Sequence, residues 1–211
     1  MFTVYGADRS GSAAIEAALE IAGFAYQRIE AATWIGGPTY DALRAVNPLG
    51  QVPVLQSDDG RVMTESAAIL IHLGLAFPES GLLPRDAARR AQAIRGLVFI
   101  AANCYSAIGV IDYPQRWLPD GDEAELKRVQ AGARQRLHLM WEQFADAFAA
   151  DPFLSGESIG ALDLLSAVVS RWSGAHAHLA AARPAWAPVF GRIEAVPAVA
   201  RVFARHWPAC T

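Results

Sequence analysis

The segment Pro78-Glu79-Ser80-Gly81-Leu82-Leu83-Pro84 divides this chain into two kinds of pattern, and that division most limits what it can fold into. Before it, strand-like and helix-like stretches alternate; after it, the periodicity is helical throughout. Proline and glycine at this density end a helix. The segment therefore reads as a linker at 78–85 between a first domain at 1–77 and a second at 86–211.

In the first domain residues 2–5 are strand-like. Residues 11–23 carry Ile15, Ala18, Leu19 and Ala22 at helical spacing, and 26–30 are again extended. A short helix at 38–45 comes next. Residues 53–56 and 61–63 pair across Ser57-Asp58-Asp59-Gly60, where Asp59-Gly60 is a hairpin signal, and a helix runs from 65 to 77. The order βαβ, then α, then ββα predicts a thioredoxin-like sheet with mixed strand directions. The second domain is predicted all-helical, with segments near 86–111, 122–149, 161–178, 186–194 and 198–206. Within 122–149, Val129, Ala133, Leu137, Met140, Trp141, Phe144 and Phe148 keep the helical period.

With 211 residues, 53% hydrophobic and 18% charged, the chain is long and apolar enough to bury a substantial core. A net charge of −3 with no basic run argues against a nucleic-acid surface. Residues 1–5 read as a strand and not as a signal peptide, and the apolar stretches are expected to fall short of a membrane span. Cys104 and Cys210 are far apart and offer no disulfide framework, which points to a cytoplasmic protein. His72, His138, His176, His178 and His206 show no metal-ligand spacing, so no metal is expected.

Candidate chemistry lies in the first domain. Val52-Pro53 stands between the turn Asn47-Pro48-Leu49-Gly50 and a strand. That setting suits a cis peptide, because proline reduces the trans preference to about 0.5–1 kcal/mol. A cis bond would turn the Val52 backbone outward, free to pair with an extended peptide as an added strand does. Glu65-Ser66 opens a helix and presents a hydroxyl and free N–H groups to a carboxylate. The combination suits a small acidic peptide. Between the first strand and the first helix, Tyr5-Gly6-Ala7-Asp8-Arg9-Ser10-Gly11-Ser12 offers three hydroxyls near the positive end of a helix dipole.

These motifs resemble the glutathione-binding half of the glutathione transferase family, and the resemblance runs through most of the chain. Arg9-Ser10-Gly11-Ser12 is similar to the Arg-Ser-Ser-Cys segment of zeta-class members and, more loosely, to the serine of theta-class ones. Ile159, Gly160, Asp163 and Leu164 look like the capping motif of the family's helical domain, with glycine where serine or threonine is usual. Phe99-Ile100-Ala101-Ala102 is a local match to beta-class relatives, in which a histidine stands at the position of Tyr105.

The resemblance implies a cytosolic glutathione transferase with glutathione as co-substrate and a small, partly apolar electrophile as second substrate. Ser10 would stabilise the thiolate, with Ser12 as an alternative and Tyr5 as a weaker one. Each unit of depression of the thiol's pKa takes about 1.36 kcal/mol. Val52, Pro53, Glu65 and Ser66 would hold the tripeptide, with Gln51 and Trp34 near its glycyl end. Asn103, Tyr105, Ile108, Tyr113 and Trp117 would line the electrophile pocket, a Tyr105 hydroxyl donating to developing charge. Conjugation is the expected reaction, with isomerisation or dehalogenation open, a homodimer the expected assembly and detoxification the expected setting. The alternative is a non-catalytic glutathione-transferase-like domain that binds protein partners. No nucleic acid or membrane partner is expected.

Overall fold

The computed structural model describes residues 1–33 and 36–208. Strand β1 (Phe2–Gly6) is followed by helix α1 (Ser12–Ile21), β2 (Tyr26–Glu30), α2 (Pro38–Val46), β3 (Val54–Gln56), β4 (Val62–Thr64) and α3 (Ser66–Ala76). The sheet order is β2-β1-β3-β4, with β1 parallel to β2 and antiparallel to β3, and β3 antiparallel to β4. This is a thioredoxin-like sheet of mixed direction. Alternation sends neighbouring side chains to opposite faces. Val4 and Leu55 join the main core with α1 and α3, whereas Tyr5 and Val54 turn to the other face and pack with Ala31 and Leu43 of α2.

A 3₁₀ turn at Pro78–Ser80 and the left-handed Gly81 (φ 70°) carry the chain out of α3. The second domain holds helices α4 (Ala87–Phe99), α5 (Ser106–Asp112), α6 (Glu123–Ala147), α7 (Ala161–Val169), α8 (Ala175–Ala182), α9 (Ala187–Glu194) and α10 (Pro197–His206). Their starts are written locally. Asp86 Oδ1 accepts the Arg89 N–H at 2.8 Å, and Asp122 and Glu125 exchange side-chain and backbone bonds at 2.8 and 3.0 Å. At the head of α7, Asp163 accepts N–H groups from Leu154, Ser155 and Gly160. A Cβ at Gly160 would lie 2.8 Å from the Leu82 carbonyl oxygen, so glycine replaces the usual hydroxyl residue for lack of room.

Three sequence expectations need correction. The helix expected at 86–111 is continuous, but residues Ile100–Tyr105 form a π-helical turn between α4 and α5. The helix expected at 161–178 is two helices, divided where Ser173 (φ 56°) and Gly174 (φ 79°) adopt left-handed conformations. Apolar stretches were expected to be too short for a membrane span, yet the helix Ala87–Asp112 passes by length and composition, with a mean hydropathy of 1.7 over its best window. Its apolar side is used inside the protein: Leu97, Ile100, Cys104, Ile108 and Ile111 are buried in the core. α1 packs against α7 and α10, and α3 against α7, so one core runs from the sheet into the helices.

Candidate functional site

A cleft of about 700 Å³ lies between the sheet and the helices. One corner of it is the loop joining β1 to α1. Arg9, with φ 58°, reverses the chain there and sends Ser10 to the cleft. Ser10 Oγ accepts the N–H of Ser12 at 3.2 Å and of Ala7 at 3.4 Å, and lies 3.0 Å from Ser12 Oγ. Ser12 is 0% exposed and does not reach the cleft. Its Oγ faces two acceptors, Ala7 O and Glu16 Oε1, each at 3.3 Å. Counting protons assigns the roles. The single Ser12 proton goes to one of those acceptors, and both lone pairs of Ser10 Oγ are taken by backbone N–H groups. Ser10 is therefore the donor of the pair, and its proton is the one that can turn to a ligand.

The opposite wall is built from the turn after α2. Asn47 Nδ2 donates to Gln51 O at 2.9 Å, Asn47 Oδ1 accepts the Leu49 N–H at 3.2 Å, and Gly50 supplies the φ of 62° that closes the turn. Val52-Pro53 comes next and is cis. Among the described residues the Val52 N–H and C=O have no protein hydrogen-bond partner, while β3 begins two residues on. Beside them α3 begins. Glu65 adopts φ 64°, a conformation that costs a non-glycine residue roughly 1–3 kcal/mol. No side chain caps this helix, so the N–H groups of its first turn, at Ser66 and Ala67 in the cleft wall, stay free to bind an anion. Arg9, Glu65 and Ser173 are the non-glycine residues with positive φ among those described; the first two line the cleft and the third follows Trp172, which also lines it.

The helical side is positioned by the π turn. A π turn inserts a residue into a helix and rotates the turns beyond it, and such turns recur at functional sites. Here it directs Tyr105 at the loop of the first wall: a Cβ at Gly11 would lie 2.5 Å from the Tyr105 hydroxyl, so glycine is required for the approach. Burial pushes the Tyr105 hydroxyl up to about 12, with Ser66 lowering it and Glu65 raising it, so it stays a donor at neutral pH. Trp172, placed by the break between α7 and α8, stacks at a tilt on Tyr105 with ring centres 5.6 Å apart. Its Nε1 donates to Arg9 O at 3.3 Å, tying the helices to the serine loop. At the open end Arg116 covers the Tyr113 ring at 4.0 Å, and Trp117 is 65% exposed. Cys104 lies in the π turn but faces the core, and burial pushes its thiol up to about 12.

Comparison with known proteins places this geometry. Residues 12–75 match the glutathione S-transferase N-terminal domain. Over 177 residues the chain is 32% identical to an uncharacterized GST-like protein, YncG, of Escherichia coli strain K12, covering 83% of this chain and 84% of that one. The chain belongs to the glutathione S-transferase family. Another member, the glutathione S-transferase GstA of Escherichia coli O157:H7, is 30% identical over 130 residues, 61% of this chain and 60% of its own length. In fold, a glutathione transferase homolog from Sulfitobacter, solved with bound glutathione, superposes with a TM-score of 0.83 at 24% identity, covering 97% of this chain and 98% of that one.

Of the residues singled out in the sequence of this transferase-family protein, the cleft gathers Ser10, Gln51, Val52, Pro53, Glu65 and Ser66 on one side. Tyr105, Ile108, Tyr113 and Trp117 line the other. Three expected residues are elsewhere. Tyr5, 8% exposed, faces α2 because strand alternation points it away; Ser12 stands behind Ser10; and Asn103 bonds back to its own helix at Phe99 O, 3.1 Å away. Trp34 lies outside the described residues. Sequence reading missed Trp172, Arg9 and Arg116 as cleft residues. For Trp172 the signal was Ser173-Gly174, a helix-ending pair that the surrounding apolar periodicity obscured.

Proposed function

We propose that this member of the family is a catalytic glutathione transferase in which Ser10 holds the glutathione thiolate and the helical side of the cleft receives an electrophile. The observation that carries the reading is the Ser10 hydroxyl, whose proton can turn from Ser12 to a ligand; it faces the same cleft as the uncapped start of α3 and the Val52 backbone, which has no protein partner among the described residues. Glutathione is an extended acidic peptide with a thiol at its centre. Val52 would pair with its cysteinyl backbone, and the first turn of α3 with Ser66 would take the γ-glutamyl carboxylate. Glu65 would meet the ammonium, and Gln51 the glycyl end.

Bringing the sulfur to Ser10 at the positive end of α1 favours loss of its proton to water. The thiolate then forms a carbon–sulfur bond to the electrophile, and charge appears on the electrophile's acceptor atom or leaving group. Tyr105, kept protonated, is suited to donate there. Ile108, Tyr113 and Trp117 would accept the apolar part. We read residues 1–77 as the glutathione half, 78–85 as the linker and 86–211 as the electrophile half, and the working form as a homodimer.

The test has two parts. The protein should be retained on immobilised glutathione, and mixing should produce the ultraviolet absorbance of a thiolate at pH values where free glutathione shows none. Retention without the thiolate signal, or no retention, would overturn the catalytic reading and favour a protein-binding role.

A further inference from the structure

We propose that Glu16 and His206 are positioning residues that set the acidity of the thiol bound at Ser10, acting through the Ser12 hydroxyl from behind helix α1. The inference rests on the functional reading above and adds the C-terminal helix to it.

Ser12, Glu16 and Glu20 lie four residues apart along α1 and so share one face. Glu16 is only 1% exposed on a helix whose other buried residues are, apart from Ser12, alanine, isoleucine and leucine, and a buried carboxylate is tolerated only when well paired. Its Oε1 faces His206 Nε2 at 2.8 Å and Ser12 Oγ at 3.3 Å. His206, from α10, is 0% exposed, and its Nδ1 has no partner among the described residues. The hydrogen bond that its ring does make is to a group that accepts, so Nε2 carries a proton. A chain of donors results. His206 donates to Glu16, and Ser12 also donates to Glu16 because a carboxylate accepts more strongly than the Ala7 carbonyl. Ser10 donates to Ser12 until a bound thiolate accepts that hydrogen bond in its place.

This arrangement has a sign. The Glu16 charge stands two hydroxyls behind the sulfur and opposes a thiolate there. His206 offsets it, helped by Arg28 of β2 at 3.7 Å, Arg205 of α10 at 3.6 Å and the Tyr26 hydroxyl at 3.4 Å. Neighbouring charges are committed elsewhere as well. Arg28 also pairs with Asp8 at 2.7 Å and with Glu30, and Glu20 is held by Arg205 at 2.7 Å and Arg201 at 3.1 Å.

The experiment is titration of bound glutathione by its thiolate absorbance in four variants. His206→Leu should raise the apparent pKa of the bound thiol by roughly one unit, and Glu16→Gln should lower it. The double variant should fall between them. His206→Gln, which restores an N–H donor, should return the titration toward wild type. Arg201→Ala removes a surface tie between the same helices and should leave the titration unchanged. If His206→Leu does not fold, the downward shift in Glu16→Gln carries the test alone. Loss of thermal stability with an unshifted titration, or an equal shift in Arg201→Ala, would overturn the proposal. A wild-type protein without a thiolate signal would overturn the functional reading beneath it, which is a different result.

Discussion

At the scale of single residues, two serines two positions apart are separated by what stands behind each. Ser10 has its lone pairs filled by backbone and a proton that can turn from Ser12 to the cleft, whereas Ser12 spends its proton inside the protein. Ser10→Ala is therefore expected to lower kcat/KM by roughly 10² and to raise the apparent pKa of bound glutathione, with little change in retention on immobilised glutathione. Steady-state kinetics and the thiolate titration check both. Gly160 gives a prediction against the usual preference for serine at helix starts. Because the Leu82 carbonyl occupies the space a Cβ needs, Gly160→Ser should destabilise the protein by about 1–3 kcal/mol, read from the urea midpoint. The sequence shows that this position departs from the capping pattern. The packing of Leu82 and Ser155 against it explains why.

At the scale of elements, the strands and the sites of the helix starts are written in neighbouring residues, and most were legible. Val52-Pro53 and Glu65-Ser66 were recognisable because turn, proline and helix start are local signals. The π turn was not, because an inserted residue in an apolar helix leaves apolar periodicity on both sides. It changes only the phase between them. Tyr105→Phe keeps the π turn and the ring against Trp172 but removes the hydroxyl that the turn aims at Gly11. Turnover should then fall by roughly tenfold or more while the far-ultraviolet circular dichroism and glutathione retention persist. The break at Ser173-Gly174 escaped notice for a related reason: the apolar pattern resumes in α8, and the gain from placing Trp172 over Tyr105 lies outside either helix.

At the scale of the whole molecule, the sheet and the helices are joined by α1, which contacts α7 and α10 along one side. The join contains the buried Glu16. Burial by itself would raise its pKa, but the His206 hydrogen bond and the charges of His206, Arg28 and Arg205 outweigh that and hold it below its usual 4.5. A carboxylate whose pKa is depressed by folding contributes stability above its unfolded value and loses it as pH falls through the folded one. Thermal midpoints should accordingly decline from pH near 4.5 downward, and Glu16→Gln should flatten that part of the curve.

What this sequence determined by itself was local: the order of strands and helices, the turn before Pro53, the helix start at Glu65-Ser66, and through these the resemblance to glutathione transferases. Each depends on residues within a turn or two of one another, where periodicity and backbone preference act. The tertiary structure decided which candidates meet. It turned Tyr5 away and put Ser12 behind Ser10, aimed Tyr105 through a π turn, brought Trp172 to the cleft, and set His206 against Glu16 across 190 positions of chain. Those outcomes depend on how helices pack and where buried charge must be paired, and neither is encoded within any one stretch of the sequence.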